Sequence, residues 1–415
     1  MTAAPGPTPP DAARLLVVGG GIAGVSAAEA ARKTDPDATV TLISDEDDLP
    51  YYRLNLTRYL AGDVEADDLA LHPRAWYDER RIDLRPGTRV ASIAPDDGTV
   101  TLDDGATLPF DRLVLATGAR PAVPPIAGTD KGGVTCLRTR DDAERILAAD
   151  LADRPCLVIG GGLLGLETAA ALTRRGAAVT VVEGLEHLIP LQLTREGANV
   201  LRAHLEGLGI RVVTGRMIES LAGDGRVREA VLDDGTRLEA DLVVISTGVV
   251  PNLHLANTAG LDTGGGVLVD DRLATSHPAV YAAGDGTEHR GVLYGLWQAS
   301  RLQGQTAGQA AAGAPDAAFT GIPPAYILKV VGVDVFSLGA IAPDDPACRI
   351  IEGRDDGTYR RFVFRDGRLE GAILLGDTTA MPQARQAIER GADCAHVIAH
   401  SLTAADVARG LMDQP

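Results

Sequence analysis

Twice in this chain a short apolar run ends in a glycine cluster, and an alanine-rich helical pattern follows at once. In the later copy, Cys156-Leu157-Val158-Ile159 runs into Gly160, Gly162 and Gly165, with Leu163 and Leu164 opening the helix and Glu167 just past Gly165. In the earlier copy, Leu15-Leu16-Val17-Val18 runs into Gly19, Gly21 and Gly24. Glycines at this spacing have separate mechanical jobs. The first permits a tight turn, the second lets a pyrophosphate approach the backbone, and the third lets helix pack on strand. Free N–H groups at the helix start, those of Leu163 and Leu164 in the later copy, then face the phosphates. Each copy continues into a second strand closed by a carboxylate, about 20 residues further on. These acids are Asp45 and Glu183. One such motif is a weak signal; two, each with strand, helix and acid in order, are specific.

The repeat extends past the glycines. Leu102-Asp103-Asp104-Gly105 recurs as Leu232-Asp233-Asp234-Gly235, and the strands after them end in Thr117-Gly118 and Thr247-Gly248. That period is far too long for a solenoid, so a whole domain is duplicated. A further apolar strand, Val280-Tyr281-Ala282-Ala283, ends in Gly284-Asp285 and places one copy inside the other.

With these four motifs in order, the chain resembles the flavoproteins with two dinucleotide-binding domains, which include ferredoxin reductases, rubredoxin reductases and pyridine nucleotide-disulfide oxidoreductases. The resemblance implies an α/β chain with two Rossmann-like domains, for FAD and NAD(P), the second inserted in the first. A small α+β C-terminal domain completes it. The expected boundaries are 11–121 and 241–313 for the FAD domain, 122–240 for the NAD(P) domain, and 317–415 for the C-terminal interface domain, with a linker at 313–316.

The same resemblance implies residue roles. Gly19, Gly21, Gly24, Asp45, Thr117, Gly118, Gly284 and Asp285 hold FAD, and Gly160, Gly162, Leu163, Leu164, Gly165, Glu183 and Gly248 hold the nicotinamide cofactor. Pro50-Tyr51-Tyr52-Arg53 begins a stretch that lies against the flavin in the family, so Arg53 and Arg58 point at FAD. Arg58 stands where relatives carry lysine, and a planar guanidinium is not equivalent to an ammonium. Arg138 matches an arginine that contacts FAD. Trp297 opens a helix whose N-terminus faces the flavin, and Lys329, one of three lysines in the chain, matches a lysine near the flavin. Glu167 is implied to reach the nicotinamide pocket and pair with Arg58 between the cofactors, positioning rather than reacting. Plain structural readings compete: solvated arginines on an amphipathic helix, a glutamate stabilised by a helix N-terminus, a tryptophan anchoring a core.

Glu183 also bears on cofactor choice. A carboxylate accepts hydrogen bonds from a ribose 2′-hydroxyl but repels a 2′-phosphate. No arginine follows in Gly184-Leu185-Glu186-His187, so NADH is expected over NADPH.

The 415 residues suit about three domains, and 45% hydrophobic with 23% charged residues is ordinary for a soluble globular chain. A net charge of −18 argues against nucleic acid or an anionic membrane as partner. No apolar run is long enough to span a bilayer, and the Pro-rich start lacks the apolar core of a signal peptide, so the cytoplasm is expected. Cys136, Cys156, Cys348 and Cys394 are far apart in sequence, which argues against a redox disulfide, a zinc site or an iron–sulfur cluster. His396 and His400 have helical spacing but no companion ligands, and read as two helix-face histidines.

The C-terminal stretch is similar to that of NADH-dependent nitrite reductase large subunits. Those proteins continue into iron–sulfur and sirohaem domains; with no cysteine cluster here, nitrite reduction by that route is not expected of this chain. The expected function is an FAD-dependent NADH oxidoreductase that passes electrons to a rubredoxin, a ferredoxin or a reductase subunit. The alternatives are a reductase or oxidase acting directly on a small molecule or dioxygen, and a non-catalytic FAD-binding redox scaffold.

Overall fold

A computed structural model describes residues 12–322, 325–355 and 357–413. They fall into two compact units. The first is drawn from 12–55, 64–120 and 249–322, the second from 56–63, 121–248 and 323–413.

In the first unit, five parallel strands lie in the order Val280–Ala282, Arg112–Leu115, Arg14–Val18, Thr39–Ile43 and Ile82–Arg85. The central strands read as unbroken apolar runs because both faces are covered. Leu15 and Val17 join the core with the helix Ile22–Thr34, whereas Leu16 and Val18 join a second core with Val100 and Phe110. The helix Trp297–Ala311 runs against Ile22–Thr34. A Cβ on Gly304 would stand 2.1 Å from the Ala23 carbonyl oxygen, and one on Gly308 2.1 Å from that of Ala27. Only glycine permits that approach. It fixes how the first fingerprint and the helix behind it meet the middle of the later helix.

The second unit repeats the plan. Its parallel sheet has the order Arg211–Thr214, Ala178–Glu183, Pro155–Ile159, Leu242–Ile245, Val134–Cys136. Each unit carries a three-stranded antiparallel excursion, Val90–Ala94, Thr99–Leu102, Thr107–Pro109 in one and Ile218–Ala222, Glu229–Leu232, Arg237–Glu239 in the other. These excursions carry the two Leu-Asp-Asp-Gly turns.

Three expected boundaries move. Leu242–Ile245 pairs in parallel with Cys156–Ile159, so the second sheet keeps the strand ending in Thr247-Gly248 and the return falls at 249, not 241. Leu56–Asp63 clusters with the second unit, because its helix packs on Leu163–Arg174. At the far end, Ala317 and Phe319 are buried in the core of the first unit, so that unit ends near 322 rather than 313. The expected linker is tied down by Arg272, whose guanidinium donates to the carbonyls of Ala314 and Pro315.

Beyond it, an antiparallel sheet has the order Ala325–Val330, Val333–Gly339, Arg368–Leu375, Thr358–Arg365, Arg349–Asp355. The expected hairpin is present, turning at Asp366 and Gly367, both with positive φ. Its apolar face is covered by the helices Met381–Arg390, Ala395–His400 and Ala404–Met412. Within the second unit, this sheet meets the helix Arg195–Gly207: Thr194 and Tyr359 share a 2.8 Å hydroxyl hydrogen bond, and the Tyr359 ring lies 3.0 Å from where a Gly197 Cβ would be. Among the described residues no helix is long and apolar enough to cross a membrane.

Candidate functional site

The two fingerprints form matching cradles. Gly19 and Gly160 have φ of +122° and +112°, and a Cβ on either would strike a carbonyl oxygen, that of Ala116 at 2.1 Å or of Ser246 at 2.3 Å. Gly24 and Gly165 are equally constrained, with a Cβ 1.9 Å from Gly19 O and 2.1 Å from Gly160 O. These four positions hold turn and helix against the sheet. Gly21 and Gly162 differ: each is the N-cap of its helix in extended conformation, and a Cβ there would meet no atom within 4 Å. Neither helix has a side-chain cap or an acid in its first turn. The N-terminal N–H groups therefore point into open space that a Cβ would begin to fill, the geometry an anion requires.

In the second unit, Glu183 closes the cradle. Its carboxylate accepts hydrogen bonds from Gly161 N–H at 2.7 Å and Leu185 N–H at 2.8 Å. The acid is thereby locked beside the glycine turn as an acceptor. In the first unit, Asp45 lies exposed past the end of its strand. The next residue, Glu46, is more engaged: it accepts from Tyr51 OH and from Arg53, each at 2.6 Å. Arg53 also lies 5.0 Å from the Tyr51 ring centroid. Burial works against its charge, but Tyr51, Glu46 and Asp285 together raise its pKa above the ordinary value. Sequence reasoning missed Glu46, although its place beside Asp45 at a strand end was the available signal.

The Thr-Gly ends are also fixed. Asn252 donates from its amide to Thr117 O at 2.8 Å, and Thr117 Oγ1 donates to Asn252 O at 3.2 Å. Gly118 and Gly248 both have positive φ. Asp285 accepts from Ser300 Oγ at 3.0 Å, and Trp297 stands in the first turn of the same helix with its ring 5.1 Å from that of Tyr52. The first unit thus gathers Arg53, Asp285, Trp297 and the Gly21 cradle.

Thr57, Arg58, Glu167 and Arg138 belong to the second unit. Glu167, expected to meet Arg58, accepts a hydrogen bond from Thr57 Oγ1 at 3.0 Å. Arg58 itself is exposed. Successive helical residues point in different directions, so Thr57 and Arg58 do not share a face. Arg138 precedes the helix Arg140–Leu147 and donates its backbone N–H to Asp142 at 2.9 Å. The side chain of Lys329 lies outside the described residues.

Burial pushes the Glu167 carboxyl above the ordinary carboxylate range, and the Thr57 bond pulls it part of the way back. A raised folded-state pKa means that folding disfavours the ionised form. Stability is then lost as pH rises from the ordinary value of about 4.3 to the raised one. Glu167→Gln is therefore expected to raise the melting temperature at about pH 8 and to leave it unchanged near pH 4. Melting curves at the two pH values check this; an equal effect at both would remove the carboxyl as the cause.

The comparisons with known proteins bear on this geometry. Residues 13–304 match the family described as pyridine nucleotide-disulphide oxidoreductase. The chain belongs to that family. Residues 324–392 match the rubredoxin NAD+ reductase C-terminal domain. The assimilatory nitrate reductase electron transfer subunit of Bacillus subtilis is 35% identical over 88% of this chain and 48% of its own length. The NADH-rubredoxin oxidoreductase of Clostridium acetobutylicum is 30% identical over 91% of this chain and 94% of its own. The structure of a covalent putidaredoxin reductase–putidaredoxin complex superimposes with a TM-score of 0.86 at 26% identity, covering 97% of this chain and 99% of that one. The chain spans about half the length of the first relatives it matches, 48% for both the nitrate reductase subunit and a B. subtilis nitrite reductase.

The family's cofactors are FAD and NADH, and the donor sets fit them. Two uncapped helix starts behind open glycines suit two pyrophosphates. An acceptor-only Glu183, held by two backbone N–H groups, suits an unphosphorylated ribose.

Proposed function

We propose that this chain is an FAD-dependent NADH oxidoreductase that passes electrons to a separate electron-carrier protein, in the cytoplasm. The observation that carries the reading is the pair of open cradles, one completed by Asp285 and the other by Glu183. FAD, when bound, supplies the ring that takes hydride from NADH and gives up electrons singly or in pairs. The residues do the rest. The Gly21 and Gly162 helix starts bind the pyrophosphates; Arg53 and Asp285 hold the flavin end of FAD; Glu183 selects NADH; Thr57 and Glu167 order the nicotinamide end of the second unit. These act by orientation, which is worth most when the reacting atoms are held close. Arg58, Arg138 and Lys329 are proposed as further flavin-side cations on the resemblance alone.

An electron-carrier acceptor is favoured over a thiol pathway by the cysteines. None of the four is in a disulfide; Cys156 and Cys394 are buried, and burial pushes the thiols of Cys156, to about 11, and Cys136 up from their ordinary values. Thiols held protonated are poor nucleophiles. Replacing all four by serine or alanine is expected to leave NADH-to-acceptor turnover within about twofold, since a surface or core thiol without a redox partner contributes only packing. Turnover with rubredoxin, ferredoxin and dioxygen as acceptors measures this and ranks the acceptors. If one cysteine variant lost turnover with FAD still bound, a thiol-dependent reductase would replace this reading. If dioxygen were the fastest acceptor, the carrier would be dispensable.

A further inference from the structure

The turn that presents Asp285 is held by side chains outside every glycine motif. Gly284, at φ +96°, donates its N–H to Gln303 Oε1 at 2.9 Å, and Asp285 accepts from Ser300 Oγ at 3.0 Å. Ser300 and Gln303 are three residues apart on the helix Trp297–Ala311 and so share a face. Both are buried, Gln303 at 1% exposure. The residue after Gln303 is Gly304, which brings this helix against the Ala23 carbonyl in the first turn behind Gly21, and a Cβ on Gly284 would lie 3.0 Å from the Ala23 Cβ. Gln303 therefore sits where the Asp285 turn, the later helix and the first fingerprint converge. Its carboxamide Nε2 is buried with no partner. A buried donor left unpaired is costly, and such groups in native proteins normally meet a ligand or a bound water.

We propose that Gln303, supported by Ser300, is a positioning residue for FAD: it holds the Gly284–Asp285 turn through Oε1 and so directs Asp285 at the bound flavin nucleotide, its own carboxamide remaining enclosed behind the turn. The assignment rests on the FAD-binding reading above and extends it to residues that neither fingerprint contains. Removing the acceptor strands the Gly284 N–H and loosens the turn, so that Ser300 must hold Asp285 without the support of Gln303. The polar groups around the site are Asp285 on the turn, Ser300 on the helix and Arg53, whose charge responds to Asp285. The neighbouring turn of the helix Ile22–Thr34 contributes Ala23 and no titratable group.

The test uses the full chain stripped of FAD and titrated with FAD, following flavin fluorescence and visible circular dichroism. Gln303→Met, similar in shape but without the acceptor, is expected to raise the FAD dissociation constant about tenfold or more and to alter the visible dichroism of the bound flavin. Gln303→Glu keeps shape and acceptor. Beside Asp285 and the phosphates its carboxyl will ionise only at raised pH, so its FAD affinity should approach the parent's at low pH and fall as pH rises. The low-pH limit is the decisive one, because the neutral carboxyl keeps the acceptor for Gly284 N–H without a charge: there Gln303→Glu should bind FAD within about threefold of the parent. Binding by Gln303→Met within about threefold of the parent, or a Gln303→Glu affinity that follows the parent at every pH, overturns the proposal. If Gln303→Met does not fold, the pH profile of Gln303→Glu decides. Failure of the parent chain to bind FAD is a different result, and it removes the functional reading itself.

Discussion

Gly162→Val is expected to abolish reduction of the flavin by NADH while leaving FAD bound and the chain folded. The backbone at Gly162 has φ −76° and ψ 176°, an extended conformation that any residue adopts. A Cβ there meets no protein atom within 4 Å, so the fold has no reason to resist valine. The added methyls occupy the space in front of the uncapped helix Leu163–Arg174 instead. A pyrophosphate excluded from that space loses at least two charge-assisted hydrogen bonds, together worth about 3–6 kcal/mol, or a hundredfold or more in affinity. The corresponding change at Gly165 is of another kind, because its Cβ would lie 2.1 Å from Gly160 O and would part helix from strand. Stopped-flow bleaching of the flavin at rising NADH, with the bound FAD spectrum and a melting curve, separates the two. Unimpaired bleaching by Gly162→Val would mean that this cradle does not hold the nicotinamide cofactor.

That contrast marks what was legible in the residues alone. The glycine spacing, the duplicated Leu-Asp-Asp-Gly turns and the paired Thr-Gly ends announce two doubly wound sheets, because each feature is local and repeated. The strand Leu242–Ile245 lies beyond the expected boundary at 241: its pairing with Cys156–Ile159 spans 86 residues, and only the repeated Thr-Gly end marks it in the sequence as part of the second sheet. Phe319 misled in a similar way. It follows Gly313-Ala314-Pro315, which reads as a linker, yet it packs edge-on at 5.1 Å from buried His289 and 5.4 Å from Tyr294. The site shows the same division. Glu183 stands at a fixed offset from its glycines, and that spacing singles it out; Thr57, Asn252, Ser300 and Gln303 meet neighbours brought by tertiary folding and carry no such mark.

Glu183→Gln is expected to narrow the preference for NADH over NADPH by about tenfold to a hundredfold, almost entirely through better use of NADPH. The parent carboxylate is held by Gly161 N–H at 2.7 Å and Leu185 N–H at 2.8 Å, so it cannot swing away from an incoming 2′-phosphate. The phosphate would have to approach a fixed negative charge in a chain whose net charge is already −18. Like-charge contact of that kind costs several kcal/mol at close range, and salt screens part of it. Glutamine keeps an acceptor oxygen for Gly161 N–H and for a ribose hydroxyl and gives up the one that Leu185 N–H uses, so NADH should lose no more than that one bond, about fivefold. The added amide also donates, which the phosphate can use. The asymmetry is the diagnostic feature: a mutation that merely loosened the Gly161 turn would weaken both nucleotides together, since both share the pyrophosphate contact behind Gly162. Rates of flavin bleaching with each nucleotide, measured at two ionic strengths, resolve the question. The NADPH gain should be larger at low salt, where the repulsion it relieves is strongest. Equal losses for NADH and NADPH would assign Glu183 to the turn rather than to the ribose, and equal rates with the unmodified chain would remove it from cofactor choice altogether.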